Sequence, residues 1–204
     1  MKSGSSFLIP AHPAIYEEKI KRSVFIAELE ICEDEKQARD FLARVISKHR
    51  DATHNCRAYV INNIEYSSDD GEPSGTAGKP ILGAIKKSGL MNVMIVVTRY
   101  FGGVKLGVRG LIDAYGGVAE KVLELAGSVL KIKTREIEFS FNYNDTGIIN
   151  RLLEQNDARN IFYEYGENVS VKAEIPENFY EEFLEKIKKI KGVNFNSELG
   201  IRNS

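Results

Sequence analysis

Residues 135–195, REIEFSFNYNDTGIINRLLEQNDARNIFYEYGENVSVKAEIPENFYEEFLEKIKKIKGVNF, decide how the chain folds. Ile137, Phe139, Phe141 and Tyr143 alternate with polar residues, the period of a strand with one face buried. Asp145 then offers a cap for a helix whose apolar positions are Ile149, Leu152 and Leu153. Residues 160–165 and 169–175 read as two strands joined by Gly166-Glu167-Asn168. Phe179, Phe183, Ile187 and Ile190 share one stripe of a second helix, and Val193-Asn194-Phe195 closes the series. The order is βαββαβ, the ferredoxin-like unit. A domain of about 70 residues suits that fold and is small enough to lean on a neighbour.

Upstream the pattern changes at a connector over 128–134, which predicts two domains, 1–130 and 131–204. Residues 14–21 and 23–31 read as two opening strands. Asp34, with Gln37 three residues on, starts an amphipathic helix carrying Ala38, Phe41, Leu42, Val45 and Ile46. A hairpin follows, 56–61 turning at Asn62-Asn63 into 64–67. Residues 68–80 have no apolar period and form a loop, and Pro80 suits the first turn of a short helix with Ile81, Leu82 and Ile85 on its apolar face. Val93-Met94-Ile95-Val96-Val97 is apolar throughout, as a strand covered on both faces is. A glycine loop over 102–110 leads from it into a helix bearing Leu111, Tyr115, Val118, Val122 and Leu123, ended by Gly127. The chain is therefore α+β, in two domains.

Composition narrows the function classes. The 204 residues include 28 Lys+Arg against 29 Asp+Glu, for a net charge of -1, and 43% are hydrophobic, which excludes disorder and coiled coil. No apolar run approaches the roughly 20 residues that cross a bilayer, so no membrane partner is expected. Met1-Lys2-Ser3-Gly4-Ser5-Ser6 has no apolar leader core, and Cys32 and Cys56 are too few for a disulfide framework, so a cytoplasmic location is expected. Any nucleic-acid contact must come from a local basic patch, because the overall field is neutral. The sequence sets no oligomeric state.

Two loops could carry chemistry. In the first, Asp69, Asp70 and Glu72 have the charge of a cation site but not the ligand spacing of an EF-hand, and no metal is expected. Gly78-Lys79 resembles the end of a phosphate loop, yet Pro73 stands where its first glycine belongs and Pro80 where its Mg²⁺-binding hydroxyl belongs. Two readings remain: N–H groups near Pro80, with Ser74, Thr76 and Lys79, hold a phosphate or carboxylate, or the loop caps itself. In the second loop Arg99, Lys105 and Arg109 lie beside Tyr100 and Phe101, a mixture suited to gripping phosphates and stacking a base. The opposing reading makes the aromatics core and pairs the cations with acids such as Asp69, Asp70 or Asp113. His54 and Cys56, two apart in a strand, are roughly 7 Å apart at their bases, which suits a structural role better than a nucleophile and its base. The histidines and cysteines lack zinc spacing. Lys186, Lys188, Lys189 and Lys191 read as a solvated helix end or as an RNA-facing edge.

These two loops resemble the YigZ/IMPACT family. The matching stretches are His54-Asn55-Cys56, then Ser68-Asp69-Asp70-Gly71-Glu72-Pro73-Ser74-Gly75-Thr76-Ala77-Gly78-Lys79-Pro80-Ile81-Leu82, then Val97-Thr98-Arg99-Tyr100-Phe101-Gly102-Gly103-Val104-Lys105-Leu106-Gly107. Lys21-Arg22-Ser23-Val24-Phe25-Ile26 also resembles the family's opening strand. The resemblance implies a first domain like the second domain of a small-subunit ribosomal protein, a fold shared with domain IV of elongation factor G and with small-molecule kinases. It implies a ferredoxin-like second domain similar to the last domain of that elongation factor. One departure stands out: the family's usual Leu-Gly-Thr-Gly-Gly-Leu is here Leu106-Gly107-Val108-Arg109-Gly110-Leu111. If the replaced glycine needs φ > 0, Arg109 is strained.

The resemblance transfers no catalytic reaction and no cofactor; its eukaryotic member looks like a translational regulator that binds the activator of an amino-acid-starvation kinase. The leading expectation is a non-enzymatic cytoplasmic, translation-associated module that binds RNA or a ribosomal component through Lys79, Arg99, Lys105 and Arg109. One alternative is a protein-interaction regulator of a translation or stress-response factor, docking through 68–79. The other is an enzyme acting on a small phosphorylated or nucleotide substrate. The sequence leaves open whether the acidic loop packs on the basic one.

Overall fold

The computed structural model describes residues 6–195. The leading residues 1–5, read above as lacking a leader core, lie outside the described residues. The chain divides into two compact units, Phe7–Leu130 and a second that takes in Ser6 and the described residues from Lys131 on.

The elements lying wholly or mostly in the first unit are β1 (Ser6–Pro10), β2 (Ala14–Ile20), β3 (Ser23–Ile31), α1 (Glu35–Lys48), β4 (His54–Ile61), β5 (Ile64–Ser68), α2 (Gly78–Ser88), β6 (Val93–Tyr100), α3 (Gly107–Ala126) and β7 (Ser128–Ile132). Five strands form an antiparallel sheet in the order β2-β3-β6-β4-β5. The apolar run of β6 is central because both of its faces are covered. Val93, Ile95 and Val97 pack with Ile81, Ile85, Val118 and Val122 of α2 and α3. Met94 and Val96 pack with Phe41 and Val45 of α1. The start of α1 is set by its cap: Gln37 N donates to Asp34 Oδ1 at 2.8 Å, and Glu33 N donates back to Gln37 Oε1 at 3.0 Å. α2 starts at Gly78, two residues before Pro80, and ends at Gly89 with φ +70. β1 and β7 pair in a two-stranded sheet. Neither was expected as a strand, because each is short and its partner is far away in sequence.

In the second unit the order is β8 (Thr134–Phe141), α4 (Thr146–Gln155), β9 (Arg159–Tyr165), β10 (Val169–Pro176), α5 (Glu177–Ile187) and β11 (Asn194–Phe195). The sheet order β11-β8-β10-β9 is that of the split βαβ unit. Ile137, Phe139, Phe141, Val169 and Val171 meet Ile149, Leu153, Phe183 and Ile187 in one core. Tyr143 does not extend β8; it opens a one-turn 3-10 helix and donates its hydroxyl to Gly166 O at 2.9 Å. Among the described residues no helix is long and apolar enough to cross a membrane.

Candidate functional site

The two loops meet at one end of the five-stranded sheet, and the acidic loop is folded inward. Asp69 Oδ1 accepts from Ala77 N at 3.0 Å and Gly78 N at 2.8 Å, and its Oδ2 accepts from Gly75 N at 2.8 Å. The N-terminus of α2 therefore already holds an anion, the chain's own carboxylate. Thr76 is buried and donates its hydroxyl to Pro73 O. The self-capped reading of this loop holds: the Gly75, Ala77 and Gly78 N–H groups, among those expected near Pro80 to hold an external anion, are engaged by Asp69. Asp70, in the left-handed region at φ +44, accepts from Asn55 N at 2.7 Å and from Arg57 at 3.3 Å. Its carbonyl lies 2.8 Å from His54 Nδ1, and since a carbonyl only accepts, that nitrogen carries the proton. Gly71 and Gly75 take φ +88 and +77, and Gly78 packs so close to the Ser68 backbone that a Cβ would lie 2.7 Å away.

Glu72 joins the two loops. Arg99 stands across from Phe25 on β3 and His54 on β4, so these side chains share a sheet face. Glu72 Oε1 accepts from Arg99 Nη1 at 2.6 Å and from the Tyr115 hydroxyl at 2.8 Å, and His54 Nε2 lies 3.9 Å away. Arg99 Nη2 is 3.3 Å from Ser23 Oγ. At 5% exposure Arg99 is not a surface cation, so the expectation that it meets an external anion is corrected. Burial pushes the Cys56 thiol up to about 12, against an opposing hydrogen bond from Tyr115 and helped by the Glu72, Asp70 and Asp69 carboxylates, and its Sγ–H donates to Asp69 O, which keeps it in the thiol form that suits a structural role.

The glycine loop faces outward. Gly103 and Gly107 have φ +81 and +74, whereas Arg109 lies inside α3 without positive φ, so the strain anticipated at Arg109 is absent. Its side chain is 90% exposed and pairs loosely, at 3.3 Å, with Asp113. Lys79 and Lys105 are exposed. Leu106 gives α3 no side-chain cap bond and its first turn holds no acid; the same is true of Ala77 and the first turn of α2, whose N–H groups are met instead by Asp69 from outside the helix. The sequence reading missed two cations: Lys21 and Arg22 form the β2–β3 turn at φ +43 and +72, and a Cβ on Gly102 would fall 1.9 Å from Arg22 O. Lys21-Arg22 stood in the opening motif, but only the backbone approach places it beside the loop. Tyr100 points to the other sheet face, where its hydroxyl and Glu28 bracket His49 at 2.9 and 2.8 Å. In the second unit, Lys186 pairs with Glu182 at 2.8 Å.

The Impact N-terminal domain model matches residues 21–123, which include both loops, and a domain of unknown function, DUF1949, matches 139–190. The chain belongs to the IMPACT family. The Bacillus subtilis IMPACT family member YvyE is 40% identical over 169 residues, covering 81% of this chain and 78% of that protein. The Escherichia coli IMPACT family member YigZ is 37% identical over 187 residues, covering 89% and 92%. A crystal structure described only as that of a hypothetical protein superposes with a TM-score of 0.69 at 34% identity, covering 95% of this chain and 98% of the other.

In this IMPACT family member the acidic motif builds the scaffold, which gives Asp69 a measurable signature. Burial alone would raise its pKa, but the N–H donors of Gly75, Gly78 and Ala77, with the Lys79 charge, outweigh it and hold the carboxyl below its ordinary 3.8. A depressed folded-state pKa adds stability that is complete above the unfolded value and disappears as pH falls through the folded one. Asp69→Asn is therefore expected to cost about 1–2 kcal/mol at pH 7. In urea titrations that gap narrows below pH 3.8. A gap independent of pH would show that charge is not what the three donors recognise.

Proposed function

We propose that this IMPACT family member is a non-enzymatic, cytoplasmic, translation-associated module that binds RNA or an RNA-bearing ribosomal component through its glycine loop. The observation that carries this reading is the contrast between the loops. The Asp69, Asp70 and Glu72 carboxylates are engaged by donors of the chain itself, while Lys105, Arg109, Lys21 and Arg22 stay exposed around positive-φ glycines and the start of α3, where Leu106 supplies no side-chain cap. Exposed cations beside helix N–H groups suit phosphate contacts. Lys79 is the further exposed cation, and Arg99 acts from beneath by holding Glu72. The alternatives gain less support. Docking through Asp69 and Asp70 would use carboxylates already engaged by backbone donors, and an enzyme would need free polar groups where Thr76, Glu72 and Tyr115 bond one another or the backbone.

The test is co-sedimentation with ribosomes and with free structured RNA across a salt series. Each phosphate contact contributes roughly 0.7–0.9 to the slope of log K against log salt. The variant Lys79→Ala/Lys105→Ala/Arg109→Ala is expected to lower that slope by about 2. Binding that ignores salt, or an unchanged slope in the variant, overturns the proposal.

A further inference from the structure

One exposed aromatic in the glycine loop is held differently from the others. Phe101 is 45% exposed, yet its backbone N–H donates to Thr53 Oγ1 at 3.1 Å and the next residue, Gly102, is wedged against Arg22. The Arg99 guanidinium carbon lies 5.2 Å from the Phe101 ring centroid and 5.4 Å from that of Phe25. Arg99 Nε has no hydrogen-bond partner, so the guanidinium is placed by Glu72 and Ser23 on its Nη atoms and by the rings. A cation over a ring face is an attractive contact that fixes the ring. By contrast Phe162, 68% exposed, lies on the edge strand β9, and Tyr165, 66% exposed on the same strand, is held by stacking on Tyr143 and Tyr163.

We propose that Phe101 is a base-stacking platform and that the RNA bound by this loop is single-stranded. The inference rests on the reading above and names which form of RNA that reading concerns. Exposing a preorganised phenylalanine loses hydrophobic stabilisation unless something flat covers it. A base offers such a face only when it is unpaired, because in an A-form helix both faces are taken by neighbouring bases. Lys105 and Arg109, a few residues along the chain, and Lys21 and Arg22, at the turn that Gly102 touches, supply the phosphate contacts that track a strand past the ring.

The chain contains no tryptophan, so Phe101→Trp creates a sole indole reporter at the platform. A single-stranded RNA of about a dozen nucleotides is expected to quench it along the same titration curve that labelled RNA gives by anisotropy, while a duplex of the same length does not. Phe101→Ala is expected to weaken single-strand binding about tenfold without changing the salt slope, and Phe101→Tyr to retain it. Thermal unfolding of each variant checks that the loop is intact. Equal binding of single strand and duplex, without quenching, overturns stacking but leaves the ionic reading standing. No RNA binding at any salt overturns both. Quenching only by nuclease-treated ribosomes assigns the surface to a protein and also overturns the inference.

Discussion

Glu72→Ala is expected to lower the unfolding free energy of this IMPACT protein by about 3–5 kcal/mol, the usual cost of stranding one partner of a buried ion pair. The variant would leave the Arg99 guanidinium, 5% exposed, with Ser23 Oγ as its remaining hydrogen-bond partner. It would also remove the acceptor of the fully buried Tyr115 hydroxyl. Neither group can reach water without opening the end of the sheet, so the desolvation penalty is not recovered. Arg99→Ala should cost a similar amount, whereas Glu72→Met/Arg99→Met should regain most of it, since removing both charges removes the penalty. The surface pair Arg109–Asp113 is the control: with side chains 90% and 62% exposed, Arg109→Ala should cost at most about 0.5 kcal/mol. Urea unfolding followed by circular dichroism reads all four. A loss below about 1 kcal/mol for Glu72→Ala would mean that the pair is solvated and that Arg99 is free to meet an anion.

The same pair shows how far a sequence carries. Local signals were legible: the Asp34–Gln37 cap, the doubly covered β6 and the alternation in β8 all follow from neighbours within a few residues. Contacts between distant segments were not. That the acidic and basic loops are joined through Glu72 and Arg99, 27 residues apart, was one of two readings the residue types allowed. That Asp69 caps α2 could not be told from a cation ligand, because a carboxylate serves N–H groups and metal ions alike. β1 and β7 stayed hidden because pairing across the whole first unit leaves no period in either segment. The resemblance named the loops; the structure separates their jobs, one building the scaffold and the other facing solvent.

Gly102→Ala is expected to cost about 3 kcal/mol, at the upper end of what overpacking costs, and to abolish RNA binding through the loop. The added Cβ would lie 1.9 Å from Arg22 O, 2.2 Å from Arg22 C and 2.6 Å from Arg22 Cβ. These are backbone atoms and the root of a side chain, so no rotamer change relieves the clash; the β2–β3 turn must retreat by roughly 1.5 Å to reach ordinary contact. Retreat would break the 3.4 Å approach of Gly102 N to Ser23 Oγ, loosen the Ser23–Arg99 contact and disturb the Val24–Tyr100 pairing. It would also carry Lys21 and Arg22 away from Phe101. Gly103→Ala separates space from backbone conformation: its Cβ meets nothing within 4 Å, but φ is +81, so the cost should be only about 1 kcal/mol of left-handed strain. Unfolding titrations of the two variants, beside RNA affinity at one salt concentration, make the comparison. Equal losses at the two positions would mean that the turn yields to a methyl group, and the fixed placement argued for Phe101 would fall with it.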